Sequence, residues 1–375
     1  MDVATFASVD SLPADARRLL DQASSPFAGV AWWNAVLSAA LPADEEACFV
    51  TVGSGGGVAA LVPMLRHRGR LDSLTTLYSC EYAPLLAGAP GSAVRVAAMA
   101  AFARSCRTGG VTRLDALPAE WDGLADVLAG ARQAGLRTLR FDHFGNWYEN
   151  TSGLDWSAYL LRRPGALRET IRRRLRRAER LPEARFELLT DPADMDRAAE
   201  AFESVYRRSW KQPEPYPAFN VALMRAMAGL GALRLGVWSI GGHPVAVQFW
   251  IVRAGRAIVL KLAHDEAFKA HSPGTVLTAL MLRHLLDQEH VAEIDFGRGD
   301  DLYKKDWAAH RRQRIGVLLV NPWRLSGAAA LLRHAAGRAR RAVWPGEPCA
   351  AAPGRGEADK TRRHNANRGG FGDGQ

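Results

Sequence analysis

The sequence predicts an α/β (α+β) fold with two similar domains in tandem, each a mixed, mostly antiparallel sheet flanked by helices. Three observations lead to this prediction. The element order β-β-β-α-β-α-β occurs twice, over residues 47–142 and again over residues 232–320. Glycine-rich turns separate neighbouring β-type runs, which is typical of antiparallel hairpins. A Pro-Gly pair precedes the corresponding helix in both halves, at Pro90-Gly91 and at Pro273-Gly274.

Composition places the chain among globular proteins. Its 375 residues suffice for two domains, and 48% of them are hydrophobic and 23% charged. No run of eighteen apolar residues occurs, so we predict no membrane span, and the first twenty residues do not resemble a secretory signal. The four cysteines form no CxxC pair, so we predict neither a metal site nor a disulfide framework. We therefore expect a cytoplasmic protein, with a peripheral position at the inner membrane surface as the alternative.

Arginine supplies nearly all of the positive charge behind the net charge of +10. A helix predicted over residues 166–181 concentrates this charge, with leucine and isoleucine on one stripe and arginine over the rest, from Arg168 to Arg180. Such a helix is either a solvated face or a binding surface for an anionic partner. The partners we consider are a nucleotide-sugar, a lipid phosphate or tRNA.

The first half of the chain is predicted as an N-terminal domain over residues 1–145. We predict two helices in 10–40, a hairpin from residue 47 around a glycine turn, and strands at 74–79, 111–117 and 136–142, with helices at 94–105 and 121–134. Residues 143–148 have the composition of an aromatic loop.

The second half is predicted as a C-terminal domain over residues 146–325. We predict strands at 185–189, 232–240, 243–252, 257–264, 292–296 and 314–320, with helices at 194–210, 218–228, 274–289 and 302–309. Three prolines exclude regular structure from residues 211–217. A basic helix at 326–345 and a disordered tail at 346–375, which has almost nothing to bury, complete the chain.

The turn that enters the helix at Gly274 is the most informative stretch. Ser272 is a suitable N-cap, Pro273 suits the first helical position, and Gly274 and Thr275 leave backbone N–H groups bare. Bare amides and the helix dipole together bind phosphate. Basic Lys269 precedes this turn, whereas no basic residue stands just before Pro90-Gly91. We therefore predict phosphate binding in the second half alone.

Four motifs together resemble a known family. They are Asp265 at a strand end, residues 272–275, the run Asp295 to Asp301, and Tyr303-Lys304-Lys305-Asp306-Trp307. The combination is similar to GNAT-type acyltransferases of the CelD/BcsL group, which are related to the Fem peptidyltransferases with their two GNAT folds in tandem. The resemblance covers residues 150–322 and extends to 20–145 only through the order of elements.

This resemblance implies an acyl-CoA cosubstrate, most simply acetyl-CoA, and transfer to an amine or hydroxyl group. The implied acceptor is a small molecule or glycan, such as a sugar, envelope or polysaccharide precursor. The GNAT pyrophosphate loop has the pattern Arg/Gln-x-x-Gly-x-Gly/Ala, and this chain offers Lys269, Ser272 and Gly274 there, with His271 and Thr275 beside them. Because Fem enzymes use aminoacyl-tRNA, an aminoacyl-tRNA-dependent peptidyltransferase is the alternative, and a non-catalytic GNAT-fold binding protein is the third.

The same resemblance suggests catalytic residues, each with a plainer alternative. His264 suits a general base and Asp265 a base or the holder of a water, but they equally suit packing and capping. Tyr303 suits the acid that protonates the departing thiolate, or it simply packs. Arg298 and Asp301 either orient the substrate or, for Asp301, cap the following helix.

Overall fold

The computed structural model describes residues 1–54, 56–67 and 69–343, with only the backbone described at residue 54 and over 337–343. It is an α/β structure in which sheets are flanked by helices, so the predicted fold class is confirmed. The predicted tail at 346–375 lies outside the described residues. None of the helices within those ranges is both long and apolar enough to cross a membrane.

The elements alternate along the chain as follows. The strands are β1 (Asp2–Phe6), β2 (Glu46–Ser54), β3 (Gly57–His67), β4 (Arg70–Ser73), β5 (Leu85–Leu86), β6 (Val111–Pro118), β7 (Arg137–Asn150), β8 (Arg185–Leu189), β9 (Leu233–Ile240), β10 (His243–Arg253), β11 (Arg256–His264), β12 (Glu293–Arg298) and β13 (His310–Val320). The helices are α1 (Ala14–Asp21), α2 (Val30–Ala39), α3 (Ala93–Ser105), α4 (Leu124–Gln133), α5 (Trp156–Leu161), α6 (Gly165–Ala178), α7 (Met195–Arg207), α8 (Pro217–Gly229), α9 (Pro273–Asp287), α10 (Lys304–Trp307) and α11 (Leu325–Val343).

The chain divides into two compact units that are not contiguous in sequence. The first unit contains Met1–Gln22, Leu41–Phe144 and the described residues from Gln313 onward. The second unit contains Ala23–Ala40 and Gly145–Arg312, so helix α2 belongs to it although it precedes β2. The predicted domain limits, 1–145 and 146–325, stay a prediction.

In the first unit, antiparallel strands follow the order β1-β2-β3-β4, with β5 also pairing with β3. Helices α1 and α3 pack on this sheet, and α3 packs closely on α4. Gly130 permits that approach, because a Cβ there would lie 2.6 Å from the backbone nitrogen of Ala100. Strand β6 pairs with β13, from Val111↔Val320 to Pro118↔Arg314, and the C-terminal strand therefore completes the first unit.

In the second unit, the strand order is β7-β12-β11-β10-β9-β8. The neighbours are antiparallel except for β11 and β12, which are parallel. Helix α9 connects these two parallel strands and packs on β9, β10 and β11. Its buried face, including Val276, Leu277, Met281 and Leu285, forms the centre of the core of this unit. Burying a side chain of this size contributes about 1.5–3 kcal/mol relative to exposing it.

The structure corrects three elements of the sequence prediction. Residues 74–79 form no strand, because the third strand of the first sheet is β4, which ends at Ser73. Residues 143–148 are not a loop but the middle of β7, since Asn146, Tyr148 and Glu149 pair with β12. The predicted helix at 302–309 shortens to the single turn of α10.

Candidate functional site

The parallel strands β11 and β12 separate after a short stretch. They pair only over three residues each, from Arg256↔Glu293 to Ile258↔Asp295. Beyond Ile258, β11 continues to His264, and beyond Asp295, β12 continues to Arg298, without pairing between them. The carboxyl ends of the two strands therefore splay apart. Such a crevice at the carboxyl ends of strands is where ligands bind in many α/β proteins.

A β-bulge lies on β11 where the strands begin to separate. Phe249 of β10 pairs with Lys261 and Trp250 pairs with Val259, so Leu260 has no opposing residue on β10. Bulges of this kind disrupt the hydrogen-bond ladder locally and occur often beside active sites. No glycine marks the position, and the sequence therefore offered no signal for it.

A short 3-10 helix, Glu266–His271, connects β11 to the N-terminus of α9. Ser272 adopts a left-handed conformation (φ 54°, ψ 51°), and its side chain makes no capping hydrogen bond. Pro273 has no N–H, and a Cβ at Gly274 would meet no atom within 4 Å. The N–H groups of Gly274 and Thr275 belong to the first turn of this fifteen-residue helix, at its positive end, where no side chain of the described residues caps the helix.

The corresponding helix of the first unit, α3, begins differently. The Ser92 side chain accepts a hydrogen bond from the backbone N–H of Arg95 at 3.4 Å. The Asp126 carboxylate accepts a second one from the N–H of Gly91 at 3.1 Å. The Asp126 carboxylate and the Ser92 hydroxyl thus bind N–H groups at the N-terminus of α3. No side chain of the described residues caps the N-terminus of α9 in this way.

The predicted basic contacts flank the start of α9. Lys269 is exposed, and its carbonyl accepts the N–H of Ser272 at 3.0 Å. His271 is half-buried, and its Nδ1 is buried without a hydrogen-bond partner among the described residues. Both residues belong to the 3-10 helix that leads into α9. They are therefore close in sequence to the N–H groups that would bind an anion.

His264 and Asp265, at the end of β11, have separate environments. Both carboxylate oxygens of Asp265 are engaged, one by the N–H of Ala267 at 2.9 Å and the other by Arg208 Nε at 2.5 Å. This geometry matches the capping alternative for Asp265. His264 packs edge-on to the Trp210 ring at 4.4 Å, and burial lowers its pKa below the ordinary value despite nearby Glu266. A neutral imidazole at this position can accept a proton.

The loop after β12 carries the other predicted catalytic residues. Arg298 ends β12, and its carbonyl accepts a hydrogen bond from Lys304 Nζ at 2.7 Å. Lys304 is buried and also pairs with Asp301 at 3.1 Å, so it braces the loop from inside. Tyr303 is 42% exposed at the start of α10. Burial of its ring and the neighbouring Asp301 carboxylate raise the pKa of the Tyr303 phenol.

Comparison with known proteins shows which family part of the second unit resembles. Residues 165–305 match the acetyltransferase (GNAT) domain family. The matched residues lie within the second unit and make up less than half of the chain. No curated protein has significant sequence similarity to the chain.

Solved structures extend the likeness of fold beyond the GNAT domain. FemX has a TM-score of 0.57 at 10% identity, covering 85% of this chain and 98% of that chain. L-PGS from Bacillus licheniformis has a TM-score of 0.54 at 13% identity, covering 88% and 98%. The C-terminal domain of a putative lysylphosphatidylglycerol synthetase from Agrobacterium fabrum has 0.53 at 13%, covering 86% and 94%. At these identities the likeness shows a shared fold.

A buried charge network supports β12, and the sequence analysis did not predict it. Asp295 is fully buried and accepts hydrogen bonds from Asn146 Nδ2 at 2.6 Å, from Arg312 at 2.6 Å and from Arg256. Burial alone would raise the pKa of Asp295, but the two guanidinium groups hold it well below its usual range. Arg256 and Arg312 also pair with Glu293. The network connects β7, β11 and β12 where these strands pair, just before β11 and β12 separate.

Proposed function

We propose that the second unit is an acyl-CoA-dependent acyltransferase of the CelD/BcsL type. It would transfer an acyl group, most simply acetyl from acetyl-CoA, to an amine or hydroxyl of a sugar, envelope or polysaccharide-related acceptor. The observation that carries this proposal is the start of α9, which no side chain caps and which follows β11 after the 3-10 helix Glu266–His271. The GNAT match over residues 165–305 supports it independently.

The residues present fit the cosubstrate. The N–H groups of Gly274 and Thr275 and the dipole of α9 favour a diphosphate, and Lys269 and His271 add side-chain donors. Ser272 positions this turn through its left-handed backbone. The opening between β11 and β12 would admit an extended pantetheine arm, as the parallel pairing ends at Ile258. Bound CoA would supply an activated thioester.

The chain's own groups would serve direct transfer. The acceptor nucleophile attacks the thioester carbonyl carbon, the C–S bond breaks, and CoA leaves as its thiol. His264, as a neutral imidazole, would take the proton from the acceptor. Backbone amides around the Leu260 bulge would stabilise the developing oxyanion. Tyr303 would return a proton to the sulfur, while Arg298, Asp301 and Asp265 position the loops around it.

Binding of acetyl-CoA to a Gly274→Leu variant tests the proposal. A Cβ at Gly274 has no atom within 4 Å, so the variant should fold, and its larger side chain would compete with a diphosphate for the space at the start of α9. We expect its affinity in calorimetry to fall at least about tenfold, or about 1.4 kcal/mol. Gly229→Leu is the matched control, because Gly229 also lies in a helix with open space around its Cβ. Equal affinities in the two variants would exclude diphosphate binding at α9.

A Fem-like use of aminoacyl-tRNA is the second candidate. The specific observation is the arginine-covered face of α6, where Arg172, Arg173, Arg176 and Arg177 are exposed and Arg174 donates to the carbonyl of Ala270 at 3.5 Å. This places a polycationic helix beside the predicted pyrophosphate loop. It also fits the shared fold with FemX and L-PGS.

The salt dependence of RNA binding separates the two candidates. If α6 binds tRNA, affinity for a tRNA mixture should fall steeply with salt. Replacing Arg172 and Arg176 by glutamine should then reduce the slope of log affinity against log salt by about 2. A double variant of the exposed Arg66 and Arg70 is the charge-matched control. Stabilisation by acetyl-CoA with no such slope would support the acyl-CoA proposal. If the protein shows neither stabilisation by acetyl-CoA nor salt-dependent RNA binding, it is a non-catalytic binding protein.

A further inference from the structure

A charged cluster on the segment after α7 has no part in the acyl transfer described above. Glu214, in the proline-rich segment 211–217, accepts hydrogen bonds at one carboxylate oxygen from the Tyr206 phenol and from Lys261 Nζ, the latter at 2.5 Å. The Glu214 side chain is only 9% exposed. Lys261 lies on β11 three residues beyond Ile258, where the pairing with β12 ends. The cluster therefore borders the opening in which the thioester would lie.

Lys211 is the exceptional member of this cluster. Its residue is half-buried, yet its ammonium makes no hydrogen bond or ion pair with any residue that the structure describes. Its Nζ lies over the ring of Trp210, 5.6 Å from the ring centroid. Burial lowers the pKa of Lys211, and neighbouring Lys261 lowers it further, whereas Glu214 and Asp301 oppose this.

The surrounding carboxylates already have cationic partners. Glu214 pairs with Lys261, and Asp301 pairs with Lys304 at 3.1 Å. Lys211 is within electrostatic reach of both pairs, so it is the surplus positive charge of the group. A partly buried charge without a partner is costly, and an anion bound from solution would remove that cost.

We propose that Lys211 binds an anionic group of the acceptor, a carboxylate or a phosphate, and so positions the acceptor beside the end of β11. Lys261 supports this site by fixing Glu214, and the exposed Trp210 forms its outer wall. The identity of the bound molecule as the acceptor rests on the proposed acyl transfer. The anion site itself does not depend on it.

Protection of Lys211 from an uncharged amine reagent tests the site without knowledge of the acceptor. The full-length protein is treated with fluorodinitrobenzene, and modification of each lysine is followed by peptide mass spectrometry. Inorganic phosphate in one arm and succinate in another should slow modification of Lys211 at least about fivefold, with chloride at equal ionic strength as reference. Exposed Lys305 is the internal control and should not change. The stronger arm identifies phosphate or carboxylate as the preferred group.

Substitutions then connect the site with the acceptor. Lys211→Met should raise the KM for a transferred acceptor about tenfold or more with little change in kcat, and Lys211→Arg should restore most of it. Acetyl-CoA affinity should be unchanged in both. Equal protection of Lys211 and Lys305, or a fall in kcat alone, would overturn anion binding at Lys211. Failure of the wild-type protein to bind acetyl-CoA would instead count against the acyl-CoA proposal, while the protection result would still decide the anion site.

Discussion

The surroundings of two titratable residues of the second unit shift their pKa values toward the uncharged forms. Burial against Trp210 lowers the pKa of His264, which favours its neutral imidazole. Burial and the Asp301 carboxylate raise the pKa of Tyr303, so its phenol keeps its proton well above pH 7. A neutral imidazole accepts a proton and a neutral phenol donates one. These are the forms that a base and an acid need before acyl transfer.

The pH dependence of acetyl-CoA hydrolysis tests this pair, since water as acceptor introduces no titrating substrate group. We expect kcat/KM to fall at low pH with a midpoint below about 6.5, the ordinary pKa of histidine. No fall should occur up to about pH 9, because the pKa of Tyr303 is raised. His264→Gln should remove the low-pH limb and lower the rate by about a hundredfold or more.

His243→Gln serves as the control, because His243 is the exposed first residue of β10 in the same unit. The same substitution also alters stability. Since the folded pKa of His264 is lowered, the wild-type protein loses stability as pH falls below about 6.5, and His264→Gln should lose less over that range. An unchanged pH profile in His264→Gln would leave His264 as a packing residue only.

At the scale of elements, the strands and helices of the second unit were predicted well because their signals are local. Alternating and β-branched runs, a glycine turn and the Ser272-Pro273-Gly274 start appear in consecutive residues. The pairing of these elements was not predictable in the same way. The bulge at Leu260 depends on the register of two strands. One carboxylate oxygen of Asp265 accepts a hydrogen bond from Arg208, which lies 57 residues earlier in the sequence.

Strand β7 shows why local signals fail at one point. Glycine and asparagine are common in loops, yet Gly145 and Asn146 both make specific contacts with residues that are distant in sequence. A Cβ at Gly145 would lie 2.0 Å from Asp300 Oδ1, and Asn146 donates to the buried Asp295 carboxylate. Asp300 in turn pairs with Arg311 at 2.7 Å. These residues lie in the same unit but about 150 positions apart in sequence, so their composition reflects tertiary contacts rather than a turn.

At the scale of the whole molecule, the repeated element order does not predict how the last strand of each repeat, β7 and β13, is paired. A simple repeat would pair β6 with β7 and β12 with β13 in the same way. Instead β13 pairs with β6 in the first unit, and the end of β7 pairs with β12 in the second. The site residues diverge too, because Ser92 and Asp126 occupy the start of α3 while α9 is uncapped. The two halves therefore share an element order but differ in what their helix N-termini can bind.

The pairing of β13 with β6 predicts that a C-terminal residue stabilises the first unit. Arg314 of β13 is 1% exposed and pairs with Glu81 at 2.9 Å and with Glu120 at 3.0 Å, and its Nε donates to the carbonyl of Cys80. Arg314→Met would leave the buried Glu81 carboxylate without this partner. We expect the free energy of unfolding, from denaturant titration followed by fluorescence, to fall by about 3–5 kcal/mol.

Arg66→Met in the same unit is the control, because Arg66 and Glu46 form an exposed pair at 4.0 Å and such pairs contribute about 1 kcal/mol or less. Glu81→Gln combined with Arg314→Met should recover part of the loss, since the neutral amide has no buried charge that needs Arg314. A loss in Arg314→Met no larger than that of Arg66→Met would show that β13 is not required to hold Glu81. Recovery in the double variant would instead show that the cost arises from the buried carboxylate, because packing at residue 314 is the same in the single and double variants.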